Sequence, residues 1–347
     1  MMLPTIEKER PMGQEFRTNV IGILMAGLVL TGCVTSTLDL DGRGDIPIPQ
    51  KTLAKMREMG MRSTDPVLVR IFKQESELEI WKRDQTGRYA LLKTYPMCRW
   101  SGKLGPKTRE GDRQAPEGFY HVSAGMLNPN SQYYLSFNLG YPNRLEDALG
   151  YTGDALMVHG ACSSSGCYAL TDEGVAEIYA VAREALEGGQ RVIQVQAFPF
   201  RMTPENMAKN RGDPNFEFWM NLKGGYDIFE VTRRPPKVSY CGGRYVFDAR
   251  FKDGEPADPL AACPPTVTAK NPAVASRAEA DWLAMEQLLS ASTTLSAHAY
   301  VDGGMHPYFR ELLGRIGPEA LSKRTSVSSV PVSRPEAALA DTHVEGE

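Results

Sequence analysis

Apolar positions along this chain fall mostly into short runs, and the texture they predict is β-rich. Val67-Leu-Val-Arg-Ile-Phe72, Leu78-Glu-Ile-Trp81 and Tyr89-Ala-Leu-Leu-Lys-Thr94 each predict a strand. Asp84-Gln-Thr-Gly87 separates the last two as a turn, so the three read as a meander. Phe119–Ser123, Tyr133–Asn138 and Ala155–Val158 predict further strands. Arg191–Phe198 predicts another, in which Val192, Val195 and Ala197 alternate only roughly. One helix is well marked: Val175, Ile178, Tyr179, Ala182 and Leu186 recur at helical spacing between Asp172, a good N-cap, and Gly188-Gly189, a stop. Shorter helices are expected at Pro204–Lys209 and Asn215–Leu222, and a hairpin turning on Gly242-Gly243 within Val238–Phe247. Gly102–Gly118 is a long Gly, Pro and charge-rich loop of the kind that often carries function.

Outside this texture the pattern changes. Residues 33–62 are polar and Pro-containing and read as a tether, with a short helix from Thr52 to Met59. Residues 63–250 form the folded domain. Residues 251–275, rich in Pro, Ala and Thr, read as a linker. Residues 276–316 read as a helical extension. It opens on the capping-box pattern Ser276-Arg-Ala-Glu279, continues through Trp282, Met285, Leu288 and Leu289, and restarts at His306-Pro307 through Phe309, Leu312 and Leu313. Residues 317–347 are Ser, Pro, Ala and charge, a composition that favours disorder.

Charge is nearly balanced, 39 Lys and Arg against 42 Asp and Glu, with no basic cluster, which argues against a nucleic-acid partner. The N-terminus is a targeting segment rather than fold. Arg17 precedes the apolar run Val20–Leu30, well short of the ~20 residues that span a bilayer, and small residues follow. Residues 1–32 therefore read as a signal peptide. Leu30-Thr31-Gly32-Cys33 resembles the lipobox of bacterial lipoproteins, which implies that Cys33 is acylated and becomes the mature N-terminus. The chain is then exported and membrane-anchored, facing the periplasm. Val34, where an inner-membrane protein would tend to carry Asp, points to the outer membrane where a host has two.

Export places Cys98, Cys162, Cys167, Cys241 and Cys263 in an oxidising compartment. Their number is odd, so one is free or reactive, and Cys167 is the candidate. The pairing of the others is open. The apolar run Leu156-Met-Val ends in His159-Gly160, and Ser164-Ser165-Gly166 presents Cys167 shortly after. A thiolate is a strong nucleophile, and an imidazole nearby is a usual way to generate it. The amides around Gly166, of Cys167 and Tyr168 among them, are candidate donors to an oxyanion. Two blander alternatives stand: a Cys162–Cys167 disulfide, or His159, Cys162 and Cys167 as zinc ligands.

The segment resembles the signature of the L,D-transpeptidase (YkuD-type) cysteine enzymes, in His159-Gly160 and Ser164-Ser165-Gly166-Cys167. Ser165 stands where the common pattern has a second His, Tyr168-Ala169 follows the Cys, and the His-to-Cys gap is short. These departures are similar to the YafK-like murein transpeptidase/amidase subgroup. So is an ordered series: Gly111-Asp112, Pro116–Tyr120, Leu127–Ser131, Gly140–Asn143, Pro199–Thr203 and Arg234–Lys237. Gln114-Ala115 departs from the subgroup pattern. The resemblance implies a β-rich α+β fold, a sandwich or barrel with a cradling helix. It implies His159 as base, Cys167 as nucleophile, and a thioester formed with diaminopimelate-containing peptidoglycan stems, with no metal or organic cofactor. An amine would resolve the thioester to a cross-link, or water would, releasing an envelope lipoprotein attached to peptidoglycan. Asn128, Tyr134 and Arg201 are candidate substrate contacts, Arg201 because a guanidinium pairs bidentately with a carboxylate. The rival reading is a non-catalytic peptidoglycan-binding lipoprotein.

Overall fold

A computed structural model describes residues 42–267, 271–291, 297, 299–327 and 330–335. Residues 1–32, expected to be a signal peptide, and Cys33 lie outside the described residues. Among the described residues no helix is long and apolar enough to cross a membrane.

Two five-stranded sheets make the domain. The first has strand order β3-β2-β1-β10-β5, from β1 (Val67–Phe72), β2 (Glu77–Arg83), β3 (Tyr89–Pro96), β5 (Gly118–Val122) and β10 (Ile193–Phe198). The second has order β4-β9-β8-β7-β6, from β4 (Arg99–Trp100), β6 (Leu127–Asn128), β7 (Ser136–Asn138), β8 (Met157–His159) and β9 (Tyr168–Ala169). Within each sheet one neighbouring pair is parallel, β1–β10 and β8–β9, and the remaining pairs are antiparallel. The hairpin β11 (Val238–Cys241) and β12 (Arg244–Phe247) turns on Gly242-Gly243, both at positive φ, as its sequence predicts. The helices are α1 (Gln50–Glu58), α2 (Arg144–Ala148), α3 (Asp172–Glu187), α4 (Pro204–Lys209), α5 (Phe216–Thr232), α6 (Pro272–Ala291) and α7 (Pro307–Thr325). The architecture is the expected β-rich α+β class.

Every residue of β1 is buried because both faces of its sheet are covered. Val67, Val69 and Ile71 join the main core, while Leu68 packs with Trp81, Tyr89 and Phe229 of α5. Arg70 is buried on the α5 side, where it meets Glu230 at 2.6 Å and lies over the rings of Tyr226 and Phe229. The same logic resolves the rough phase of Arg191–Phe198. The strand starts at Ile193, so Ile193, Val195 and Ala197 share the main core, while Gln194 and Gln196 are buried opposite and bonded to Pro236 and to each other. Helix α3 packs between the sheets, touching β1, β7 and β8. It is the cradling helix.

Four expectations change. Helix α5 runs well past Leu222, through Gly224-Gly225, because those glycines serve packing: a Cβ on Gly225 would lie 2.4 Å from the Phe119 ring. Asp172 is the first residue of α3 rather than its cap; Thr171 caps, accepting from Gly174 N–H at 3.0 Å, and leaves the Asp172 carboxylate free for other partners. Residues 42–62, read as a tether, lie against the domain: Ile48, Met56 and Met61 are buried in the core, and Thr52 bonds Glu177 of α3. At the other end, α7 continues to Thr325 and Val332 is buried, so much of the stretch read as a tail is packed.

Candidate active site

The parallel pair β8–β9 sets His159 and Cys167 on adjoining strand ends. Val158 pairs with Tyr168 and His159 with Ala169, so Cys167, one residue before Tyr168, lies beside Met157. The Met157 N–H points at the Cys167 sulfur, 3.4 Å away. Side chains two apart on a strand share a face, so His159 and Cys167 are diagonal neighbours on one side of the sheet. Val158 and Tyr168 point to the other side and are fully buried in the core. Among the described residues Cys167 is the free cysteine. Cys162 is bonded to Cys98, which removes both the Cys162–Cys167 disulfide and a zinc site using Cys162.

The imidazole is set for one proton position. His159 Nδ1 is 2.6 Å from the Gly160 carbonyl, and a carbonyl can only accept, so Nδ1 carries the hydrogen. Nε2 is left as the basic nitrogen. Burial pushes the His159 pKa down to about 4, against a smaller opposing effect of the Gly160 bond. The Tyr133 ring lies over the imidazole with centroids 4.7 Å apart. Burial also raises the Cys167 thiol above its ordinary value, opposed by the Met157 N–H and by the Lys107 charge. At neutral pH the pair is therefore neutral imidazole beside neutral thiol, which suits proton transfer during attack rather than a standing thiolate–imidazolium pair.

The turn after His159 is tightly determined. Ala161 and Cys162 are both left-handed, at φ +64° and +37°, a conformation costly for residues with a Cβ. Gly160 N–H bonds the Tyr133 carbonyl, Ala161 N–H bonds Asp172 Oδ1 at 2.8 Å, and Cys162 is held by its disulfide. A Cβ on Gly160 would sit 2.4 Å from Asp172 Oδ1, so this position requires glycine. Gly166 favours glycine for a different reason, its backbone at φ +131°.

Ser164 organises the loop that presents the thiol. Its Oγ accepts from the amides of Cys167 (3.1 Å) and Gly166 (3.3 Å), donates to the Cys167 carbonyl (2.7 Å) and meets Ser101 Oγ (3.1 Å). This corrects the oxyanion expectation. The Gly166 and Cys167 amides are already engaged inside the loop, and Tyr168 lies between β8 and β4 with its hydroxyl bonded to Pro116. The long loop 102–118 flanks Gly166, with the Gln114 carbonyl 3.8 Å from where a Gly166 Cβ would be. That loop is pinned from beneath by a fully buried ion pair, Lys73 and Glu117 at 2.8 Å, whose atoms also bond the backbone of Gly105 and Ala115.

The three candidate substrate contacts separate. Asn128 shares the row and face of His159 through Ser136, though its Oδ1 caps its own turn by accepting from Asn130 N–H. Tyr134 lies against Gly160 with its carbonyl and ring held by Arg43, and its neighbour Tyr133 is the tyrosine at the imidazole. Arg201 is committed elsewhere. It bonds Glu77 and Glu79 and stacks 4.3 Å over Phe72, so its charge is already balanced by two carboxylates of the first sheet. Sequence reasoning passed over Tyr133 and Asp172, whose roles depend on contacts distant along the chain.

The L,D-transpeptidase catalytic domain (YkuD) family matches residues 66–196, which contain both candidate residues. The protein named "Putative L,D-transpeptidase YafK" of Escherichia coli K12 is 44% identical over 223 residues, 64% of this chain and 88% of that protein. Its counterpart in E. coli O157:H7 matches equally. The chain belongs to the YkuD-type L,D-transpeptidase family. Membership implies peptidoglycan as the substrate. A solved structure of the helical cell shape determining protein Pgp2 from Campylobacter jejuni is 19% identical, covers 55% of this chain and 80% of its own, and superposes with a TM-score of 0.32.

Proposed function

We propose that this chain is a cysteine acyltransferase or amidase acting on diaminopimelate-containing peptidoglycan stems. The observation that carries the reading is the paired state of the site. A free thiol shares one sheet face with an imidazole whose Nδ1–H is fixed on Gly160, leaving Nε2 as a neutral base. Nε2 takes the Cys167 proton as the sulfur attacks the stem carbonyl. The carbon–nitrogen bond then breaks, and His159 returns the proton to the departing amine, leaving a thioester on Cys167. An incoming amine closes a cross-link or attaches a protein; water instead hydrolyses, and on a peptidoglycan-linked lipoprotein that releases the protein. The non-catalytic alternative expects an unreactive Cys167; the Cys162 disulfide is not available to it, because Cys162 is bonded to Cys98, and rapid alkylation of Cys167 would count against it.

The site works outside the cytoplasm in this reading, on a lipoprotein anchored through Cys33 in the outer membrane and facing the periplasm. Two disulfides among the described residues support an oxidising compartment. Purified protein incubated with bare and with lipoprotein-bearing sacculi, followed by muropeptide analysis, tests the chemistry. New cross-links or released stems that vanish in Cys167→Ala are expected, with an acyl adduct on Cys167 by mass. Products unchanged by Cys167→Ala sink the reading. Palmitate labelling that persists in Cys33→Ala would sink the anchor.

A further inference from the structure

Residues 299–327 and 330–335 form a strap that contacts the loop 102–118, the loop before Cys167 and, through Asp172, the turn after His159. The strap lies outside residues 66–196. Its first part extends the second sheet: Gly304 and Trp100 exchange backbone bonds of 3.1 Å along the edge strand β4. A Cβ on Gly304 would lie 2.6 Å from the Trp100 indole nitrogen, so the close approach needs glycine there. Asp302 then bonds Arg113 of the loop 102–118 at 3.1 Å and meets the buried Arg99. Met305, just before helix α7, and Phe309, Leu312 and Leu321 of that helix, which is kinked at Gly317, pack with the Cys98–Cys162 disulfide.

Two polar bonds are more specific than this cover. Asp172 holds Ala161 N–H, two residues past His159, with one carboxylate oxygen and Val327 N–H of the strap with the other, at 2.8 and 2.7 Å. Ser333 Oγ accepts the N–H of Ser164, the residue that shapes the Cys167 loop, at 3.0 Å. Apolar burial alone would be served by the α7 contacts. These bonds instead place one strap group on the turn behind His159 and one on the loop behind Cys167.

We propose that the strap is part of the catalytic scaffold, with Asp172, Asp302 and Ser333 as positioning residues that fix the His159 turn and the Cys167 loop relative to each other. The proposal rests on Cys167 being the nucleophile. Its strongest alternative is a strap that only stabilises the fold.

The test uses the full chain with Ser333→Ala, Ser333→Thr and Asp302→Asn, and three readouts: melting temperature, steady-state kinetics on a defined muropeptide, and the iodoacetamide rate of Cys167 across pH, well below every melting temperature. Losing one such bond lowers kcat by about three- to tenfold while KM stays within about twofold. Alkylation at neutral pH speeds up, because a loosened thiol is better hydrated and ionises more readily. Ser333→Thr keeps the hydroxyl and restores both rates. Opposite movement of turnover and alkylation is the signature of positioning. Lowered melting temperatures with kcat and alkylation unchanged in Ser333→Ala and Asp302→Asn overturn it. Alkylation needs no peptidoglycan, so a wild type that turns over no muropeptide defeats the proposed function while the alkylation series still decides the strap.

Discussion

The two disulfides do the same chemistry in different settings. Cys98–Cys162 joins residues 64 apart, lies behind the turn that follows His159, and is covered by α7. Cys241–Cys263 joins residues 22 apart and ties the β11–β12 hairpin to the segment that follows, beside Ala249 and Phe251. The first constrains a backbone already bent into two left-handed residues next to the candidate base. The second closes a hairpin whose own turn is well formed. A staple can therefore hold a site or hold an edge, and the difference lies in what the bonded residue's neighbours do.

Removing the bonds separates the two roles. In a chain-entropy account, the Cys98→Ala/Cys162→Ala pair costs about 4 kcal/mol and the Cys241→Ala/Cys263→Ala pair about 3 kcal/mol. Denaturant melts would thus show similar losses. Activity would not. The first double variant loses turnover by about tenfold or more, because the strained turn beside His159 relaxes. The second keeps kcat within about twofold of wild type when assayed while folded. Equal kcat losses in both would mean that the first bond acts only through global stability.

How much of this contrast could be read from sequence follows contact distance. The meander β1–β3 and the hairpin were legible because each closes within its own turn signal, Asp84–Gly87 or Gly242-Gly243. His159 and Cys167 were legible because one short segment carries both. The pairing of Cys98 with Cys162 was not, since nothing near either residue marks the other. Gly224-Gly225 has the form of a helix stop, and only the Phe119 ring against it explains why α5 continues. Asp172 sits where a cap belongs, and its partner Val327 lies far along the chain in a stretch whose composition suggested disorder. The contact of Tyr133 with the His159 ring was not legible either, because it depends on how the chain runs past the left-handed residue Tyr134, at φ +75°.

Acid sharpens the comparison next. His159 has its pKa lowered from 6.5 to about 4 by burial, so the unfolded chain binds the proton more readily. Its contribution to stability is full above the unfolded value and declines as pH falls from about 6.5 towards 4. Replacing the ring by His159→Gln flattens that slope in thermal melts, while the Cys241→Ala/Cys263→Ala variant keeps it. In kinetics, kcat/KM rises with pH through about 4 as the imidazole loses its proton. Alkylation of Cys167 should still be climbing at alkaline pH, because burial holds the thiol up. An alkylation plateau at mildly acidic pH would show a thiolate–imidazolium pair instead and would replace the general-base step.

The smallest effect on catalysis is expected at Arg201, which belongs to neither disulfide region and marks where the site ends. Its guanidinium is shared by Glu77 and Glu79 and stacked on Phe72, and its own N–H bonds Glu75. Arg201→Gln would leave those acidic side chains facing one another, so the melting temperature should fall. A substrate carboxylate, by contrast, would have to pull Arg201 out of a pairing that already satisfies it, and the proximity of three acidic groups would repel the carboxylate as it came. KM for a diaminopimelate stem should therefore stay within about twofold of wild type, with kcat similarly unmoved. A tenfold or greater rise in KM at unchanged melting temperature would return Arg201 to the substrate, and would require the first sheet, not only the second, to line the groove.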